Sequence, residues 1–262
     1  MDKLRSYLES RGFDCNNYKD SIIHRKIESQ MRKVGLTDYD DYLGALNMDE
    51  HLYEELIDAL TTNFTEFFRD ISVFQKFSSN ILPEIIAQKE KRKGRILRVW
   101  SAGCSSGEEP YSIAILLKEL LSNEDYIISI TATDIDNKSL QRARKAEYTK
   151  EHVKNILLWG MDNHFTHIGE KYTVKPDIKK TVRVLKHDML KQEPFTHFDV
   201  IFCRNVLIYF TTDAQEKVMS HFYKALNKNG YLILGSAETM HKDFLRKFKL
   251  IDLKNRIYKK IK

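Results

Sequence analysis

A loop of small and acidic residues, between an apolar strand-like run and a helix-like run, is the part of the sequence best suited to hold a ligand. It reads Ser-Ala-Gly-Cys-Ser-Ser-Gly-Glu-Glu from Ser101 to Glu109, and its small side chains allow close approach to the backbone. A dinucleotide-binding loop needs Gly-x-Gly-x-x-Gly and a helix N-terminus free for pyrophosphate, but Glu108 and Glu109 occupy that point. The loop therefore disfavours NAD and suits a cationic ligand such as S-adenosylmethionine, unless the two carboxylates only complement the helix dipole.

Further acidic residues stand where two other strand-like runs end. The second run ends at Asp134, and Asp188 follows the third. Ligands of open α/β sheets bind at the carboxyl ends of the strands, so both side chains belong at the ligand edge. Asp136 fits the position of a helix N-cap, and we therefore assign acceptance of both ribose hydroxyls to Asp134. Asp188 is expected to accept a hydrogen bond from the adenine amino group.

The elements that must position these residues alternate between strand and helix, which predicts a parallel sheet covered on both faces. The strand-like runs are residues 96–100, 127–133, 181–185, 198–203 and 231–235, with helix-like runs at 110–121, 137–146 and 213–226. Residues 248–261 resemble two closing strands. Residues 147–180 break the alternation and predict a small antiparallel insertion. The segment before residue 95 is helical in pattern, including a stretch through Phe64, Phe67 and Phe68.

One predicted helix near the N-terminus, from Ser21 to Gly35, has an apolar stripe and a basic face. Its stripe has helical spacing and comprises Ile23, Ile27, Met31 and Val34. The opposite side carries four basic residues, Arg25, Lys26, Arg32 and Lys33. A solvated helix face and a docking surface for an acidic partner are both consistent with this pattern.

Composition excludes several classes of protein. With 262 residues, a net charge of +6 and 42% hydrophobic residues, the chain can bury a core and is neither disordered nor a disulfide scaffold. Its apolar runs are too short to cross a bilayer, and the N-terminus lacks the apolar core of a signal peptide, so we expect a cytoplasmic protein. Three separated cysteines and one close histidine pair, His164 and His167, lead us to expect no metal site.

Three motifs in order closely resemble those of the bacterial chemotaxis receptor glutamate methyltransferases, the CheR family. They are Asn-Phe-Thr-Glu-Phe-Phe-Arg-Asp from Asn63, the segment Trp100–Ser112, and Phe-Cys-Arg-Asn-Val-Leu-Ile-Tyr-Phe from Phe202. The resemblance covers nearly the whole chain. It implies a helical domain at 1–72 and an α/β class I S-adenosylmethionine-dependent methyltransferase domain, Rossmann-like, at 73–262. A small antiparallel β-subdomain is expected within it at about 155–182.

The resemblance also implies a set of cofactor contacts, namely Asn63, Thr65, Arg69, Glu109, Asp134, Asp188, Met189, Arg204 and Asn205. Arg69 and Tyr209 are the residues that it places near the transferring methyl group. Without the resemblance, a purely structural interpretation would be favoured, in which Arg69 and Asp70 form an ion pair on the surface and Tyr209 packs under the sheet.

The reaction implied is methyl transfer from S-adenosylmethionine to glutamate side chains of chemotaxis receptors. A glutamate has a reference pKa of about 4.3, so the nucleophile is already ionised at neutral pH and needs no general base. The enzyme is expected to act by alignment and proximity. The basic helix face would then meet the acidic helical region of a receptor, with no nucleic acid or membrane insertion, and we expect a monomer.

Two other functions are compatible with the cofactor half of such a fold. An RNA or small-molecule methyltransferase would share it, because fold alone does not fix the acceptor. A non-catalytic cofactor sensor would keep the loop but is expected to lose Arg69 or Tyr209, both of which are present. Methylation of DNA amino groups is disfavoured, since the chain has no adjacent prolines.

Overall fold

The N-terminal part of the chain is a small helical unit. A computed structural model describes residues 1–61, 65–122, 125–191 and 195–261. The helices of this unit are α1 (Asp2–Ser10), α2 (Asp20–Lys33), α3 (Tyr39–Met48) and α4 (Glu50–Thr61). Their apolar faces form one cluster, in which Leu8, Ile27 and Leu56 are fully buried. The predicted stripe of α2 faces this cluster as far as Met31, whereas Val34 lies beyond the end of the helix and is exposed.

The rest of the chain forms a seven-stranded sheet with helices around it. Its strands are β1 (Ile96–Ala102), β2 (Ile127–Asp134), β6 (Val182–Lys186), β7 (Phe198–Cys203), β8 (Leu226–Leu234), β9 (Phe248–Asp252) and β10 (Ile257–Lys260). They lie in the order β6-β2-β1-β7-β8-β10-β9. The first five in that order are parallel, and β10 and β9 close the sheet antiparallel. The predicted parallel sheet with two closing strands is therefore confirmed.

The sheet is flanked by helices that bury their apolar sides against it. They are α5 (Ile71–Lys76), α6 (Leu82–Lys91), α7 (Glu108–Leu120), α8 (Asn137–Lys145) and α11 (Thr212–Ala225). A π-helical stretch, Phe77–Ile81, joins α5 to α6. None of the helices within the described ranges is long and apolar enough to span a membrane.

The predicted antiparallel insertion is also present. Three strands, β3 (Glu147–Thr149), β4 (Phe165–Ile168) and β5 (Lys171–Val174), form a sheet in the order β3-β5-β4 with antiparallel pairing. Two short helices, α9 (Lys154–Leu158) and α10 (Pro176–Lys179), accompany these strands before the chain enters β6.

The prediction of a helix through the phenylalanine-rich motif was wrong for the part that can be compared. Phe67 and Phe68 lie in a turn, and Phe68 has a left-handed backbone with φ 51°. Both rings are fully buried, and the backbone N–H of Phe68 donates to Ser112 Oγ at 2.9 Å. The spacing of these phenylalanines, which suggests a helix, therefore reflects a turn whose aromatic rings are packed into the core. Phe64 lies outside the described residues.

Candidate active site

Two adjoining cavities open at the carboxyl ends of β1, β2, β6 and β7. Counting the part that is open to solvent, the first encloses about 550 Å³ and the second about 440 Å³, and both are lined by Gly103 and Val206. Of the residues predicted from the sequence, the first cavity is lined by Asp134, Asp188, Met189 and Tyr209. The second is lined by Thr65, Arg69, Glu109, Arg204 and Asn205. Asn63 lies outside the described residues; the structure brings all the other predicted cofactor contacts to this edge.

Asp134, at the end of β2, joins its strand to the loop that follows β1. Its carboxylate accepts the backbone N–H of Ser105 at 2.8 Å and that of Asp136 at 3.0 Å. Burial raises the pKa of Asp134, and these N–H groups oppose the rise. The neighbouring Asp136 caps α8, accepting from Lys138 N and Ser139 N at 3.0 Å each. The two carboxylates therefore have separate tasks, and only Asp134 lines the first cavity.

The two adjacent glutamates of the loop also have different environments. Glu109 lines the second cavity and accepts from Ser101 Oγ at 2.7 Å. Burial raises the pKa of Glu109, and the Arg204 guanidinium opposes the rise. Glu108 is buried in the first turn of α7 beside Ser106, whose hydroxyl lies 2.8 Å from one of its oxygens. Burial raises the pKa of Glu108 to about 7.

Arg204 joins three segments of the site. Its guanidinium is 3.4 Å from Glu109, 2.6 Å from the Asp70 carboxylate and 2.8 Å from the Arg69 carbonyl oxygen. The Arg204 side chain is only 2% exposed and that of Glu109 13%, so their ion pair is largely screened from water, whereas the Asp70 side chain is 41% exposed. Within the described part of the chain, Arg204 Nε and Asn205 Oδ1 are buried atoms without a hydrogen-bond partner. The residues that line the second cavity thus include polar atoms that can still form hydrogen bonds.

Tyr209 lies in a short 3-10 turn, Leu207–Tyr209, after β7. Burial raises the pKa of Tyr209, while the nearby positive charges of Arg69 and Arg25 act in the opposite direction. The ammonium of Lys26 lies 4.7 Å from the centre of the Tyr209 ring. The hydroxyl therefore stays protonated at neutral pH, in a corner where basic side chains from both parts of the molecule meet.

The basic residues of α2 do not share one environment. Arg25, Arg32 and Lys33 are exposed, whereas Lys26 is half-buried and donates to the Leu60 carbonyl oxygen at 2.9 Å. Burial lowers the pKa of Lys26 to about 8, with a further contribution from Arg25. The face that the sequence predicts as one surface is therefore split, and Lys26 turns toward the cavity.

Tyr18 lines the first cavity and was missed by the sequence analysis. Its ring stacks on Phe13 and meets Phe210 edge-on, with ring centres 5.0 and 5.3 Å apart. The segment is bound to the turn after β7 by two main-chain hydrogen bonds of 2.9 Å, Lys19 N to Tyr209 O and Thr211 N to Asn17 O. No motif or periodicity marks Tyr18, because packing between the helical unit and the sheet brings it to the cavity.

Comparison with known proteins gives consistent matches over most of the chain. Residues 63–257 match the family model "CheR methyltransferase, SAM binding domain", and residues 1–61 match "CheR methyltransferase, all-alpha domain". A chemotaxis protein methyltransferase of Listeria monocytogenes is 33% identical over 87% of this chain and 84% of its own length. Those of Borreliella burgdorferi and Escherichia coli are 33% and 32% identical over 87% of this chain, and cover 83% and 79% of their own lengths.

The residues at the cavities fit the cofactor of such an enzyme, S-adenosylmethionine. Asp134 offers a carboxylate for vicinal hydroxyls, and Glu109 offers one for an ammonium group. The unpartnered atoms of Arg204 and Asn205 supply a donor and an acceptor beside them. The charge and the hydrogen-bonding capacity of the two cavities thus agree with this cofactor.

Proposed function

Because the chain belongs to the CheR methyltransferase family, we propose that it methylates glutamate side chains of chemotaxis receptors, yielding glutamate methyl esters and S-adenosylhomocysteine. The observation that carries the proposal is the position of Tyr209. It lines the cofactor cavity on one side and meets Lys26, from the basic helix α2, on the other. A receptor that docks on α2 would thus deliver its acceptor beside the transferring group.

Each predicted cofactor contact within the described residues has a role that its environment supports. Asp134 binds the ribose hydroxyls, and Asp188 with Met189 binds the adenine. Glu109 binds the ammonium of the methionine part. Four further contacts surround that part from the second cavity, and they are Thr65, Arg69, Arg204 and Asn205. Asn63, which lies outside the described residues, is proposed as a cofactor contact from the family motif alone. When bound, the cofactor supplies a methyl group on a positively charged sulfur, which is an activated electrophile.

The residues near the transfer point orient the reactants and move no proton. The glutamate is already an anion at neutral pH, because its reference pKa is about 4.3. Arg69 would hold one oxygen of the acceptor carboxylate and so orient the other toward the methyl group of the bound cofactor. The Tyr209 hydroxyl, whose pKa is raised by burial, remains a hydrogen-bond donor and fixes the acceptor or the methyl group in place.

The exposed part of α2 provides the receptor surface. Arg25, Arg32 and Lys33 face solvent and complement the acidic faces of a helical receptor region. Their long-range contribution is to steer the encounter, and it weakens as salt is added. Among the four basic residues of α2, Lys26 is the one that lies beside Tyr209, where the acceptor is expected to enter. In this proposal the protein works in the cytoplasm as a monomer.

The test of the proposal uses methyl-labelled S-adenosylmethionine and purified cytoplasmic fragments of chemoreceptors. Carboxyl methyl esters release volatile methanol in mild base, whereas methylated amines do not. We expect base-labile label in the receptor fragments and none in a generic RNA. Base-stable label, or label in RNA, would contradict the glutamate acceptor and favour an RNA methyltransferase; no transfer together with tight cofactor binding would favour a sensor.

The role of Tyr209 is tested with the same assay. Tyr209→Phe is expected to lower kcat about 10-fold, corresponding to loss of one hydrogen bond of about 1.4 kcal/mol in the transition state. Tyr223→Phe is the matched control, because Tyr223 packs against Phe244 and Phe248 away from both cavities. An unchanged rate for Tyr209→Phe would remove the hydroxyl from the mechanism.

A further inference from the structure

Glu238 is a buried carboxylate that binds the backbone of the loop after β7. It is 3% exposed and lines neither cavity. Its two oxygens accept four backbone N–H groups, those of Asn205 at 3.1 Å, Val206 at 2.8 Å, Leu207 at 2.7 Å and Gly235 at 2.6 Å. Three of these donors are consecutive in the loop, and the fourth is that of Gly235, which directly follows β8.

The backbone N–H groups of this loop point at the place that the Glu238 carboxylate occupies. Asn205 is left-handed with φ 62°, and Val206 follows with φ −114° and ψ −46°, so that successive N–H groups converge. Such a concavity of N–H groups carries positive potential and commonly binds an external anion. Here the side chain of Glu238 fills it from within the protein. The loop conformation and the carboxylate thus depend on each other.

Gly235, directly after β8, allows the backbone at this point to lie close to Asn205 and to the Glu238 carboxylate. A Cβ atom at this position would lie 2.7 Å from Asn205 N and 2.8 Å from Glu238 Oε2. Contacts this short do not occur for real Cβ atoms, and one partner is backbone, so any side chain here must displace the loop. The glycine and the glutamate therefore hold the same loop from adjoining positions.

The braced loop contains three of the residues that the proposed function uses, which are Arg204, Asn205 and Tyr209. We propose that Glu238 is a positioning residue for methyl transfer, fixing this loop so that the Asn205 amide faces the cofactor and the Tyr209 hydroxyl faces the acceptor. The part concerning Tyr209 rests on the proposed function. The part concerning Asn205 rests only on the cofactor site.

Glu238→Gln tests this role with little change in volume. The amide has one accepting oxygen, so its NH₂ group faces either the N–H groups of Asn205 and Gly235 or those of Val206 and Leu207, and it cannot accept a hydrogen bond from them. We expect the dissociation constant of S-adenosylhomocysteine, measured by calorimetry, to rise about 10-fold, and kcat at saturating cofactor to fall about 100-fold, as displaced reacting groups commonly cause. The KM for the receptor fragment is expected to stay constant, because the exposed face of α2 is untouched.

Asp199 provides a matched control at the other end of β7. It is a buried carboxylate that accepts Arg98 N at 2.8 Å and Asn227 Nδ2 at 3.1 Å, and it pairs with Lys89 at 2.7 Å. Asp199→Asn is expected to lower the thermal unfolding midpoint without changing cofactor affinity or kcat. If Glu238→Gln also lowers only the unfolding midpoint, with affinity and kcat per folded molecule unchanged, the positioning role is refuted.

Gly235→Ala perturbs the same loop while keeping the carboxylate, and it decides the matter if Glu238→Gln does not fold. The same pattern of weaker cofactor binding, lower kcat and constant receptor KM is expected. Unchanged cofactor affinity and kcat in a folded Gly235→Ala protein would overturn the proposal. If the wild-type protein methylates no receptor fragment, the proposed function fails, yet the calorimetric affinities of the two variants still decide whether Glu238 positions the cofactor site.

Discussion

The two walls of the first cavity are built differently. The sheet wall, formed by Asp134, Asp188 and Met189, is bound by main-chain hydrogen bonds, such as His187 N to Asp134 O at 3.0 Å. The helical wall, formed by Tyr18, Leu60 and Thr61, belongs to another packing unit. It joins the sheet part through the Tyr18–Phe210 contact, a few main-chain hydrogen bonds and surface ion pairs. We infer that the sheet wall supplies most of the cofactor affinity, and that the helical wall links the cofactor to the receptor surface.

The largest expected effect tests the sheet wall. Asp134→Asn is expected to raise the dissociation constant of S-adenosylhomocysteine about 100-fold, because charge-assisted hydrogen bonds contribute about 1.5–3 kcal/mol each. Asp136→Asn is the matched neighbour, and it should leave the affinity unchanged since Asn is as good an N-cap as Asp. Calorimetry on both variants checks this. Equal losses in the two variants would mean that the loop, and not the Asp134 carboxylate, determines affinity.

A second comparison lies within the helical unit, between two lysines two turns apart on α2. Lys26 is half-buried over Tyr209, and Lys33 is exposed. Lys26→Gln is expected to lower kcat/KM for a receptor fragment about 10-fold, the size of a charge-assisted hydrogen bond, whereas an exposed charge such as Lys33 contributes little. Steady-state kinetics of both variants at pH 7 measure the difference. Equal effects in the two variants would mean that both lysines only contribute to receptor docking, and that Lys26 has no separate role beside Tyr209.

The same pair gives a pH dependence with a definite sign. Burial lowers the pKa of Lys26 to about 8, so its charge is present below that pH and is lost as the pH rises through it. The pKa of Tyr209 is raised from its ordinary value near 10, so its hydroxyl does not titrate in this range. We therefore expect kcat/KM to fall between pH 7 and 9 in the wild type and in Lys33→Gln. Lys26→Gln should lack this fall, and its persistence there would exclude Lys26 as its source.

Most of the sheet wall could be predicted from the sequence, and most of the helical wall could not. Acidic residues at strand ends are brought together by the rule that parallel strands share a ligand edge, which holds for Asp134. Lys26 and Lys33 occupy equivalent positions on a helical wheel, so only the docking of α2 on the sheet part distinguishes them. Phe67 and Phe68 have helical spacing, but a left-handed turn buries their rings. Contacts between units, unlike periodicity, leave no local pattern.

The smallest expected effect decides how separate the two walls are. Burial and the carboxylates of Asp188 and Asp134 raise the pKa of Tyr18, so its hydroxyl is protonated, and it makes no hydrogen bond within the described ranges. Tyr18→Phe is expected to raise the S-adenosylhomocysteine dissociation constant about 5-fold, the size of one neutral hydrogen bond, with Tyr42→Phe in the helical core as control. A loss of affinity at constant receptor KM would make the helical wall part of the cofactor site. Unchanged affinity would mean that the helical wall covers the cavity without binding the cofactor. Lys26 and Tyr209 would then be the residues that connect the receptor surface to the cofactor site.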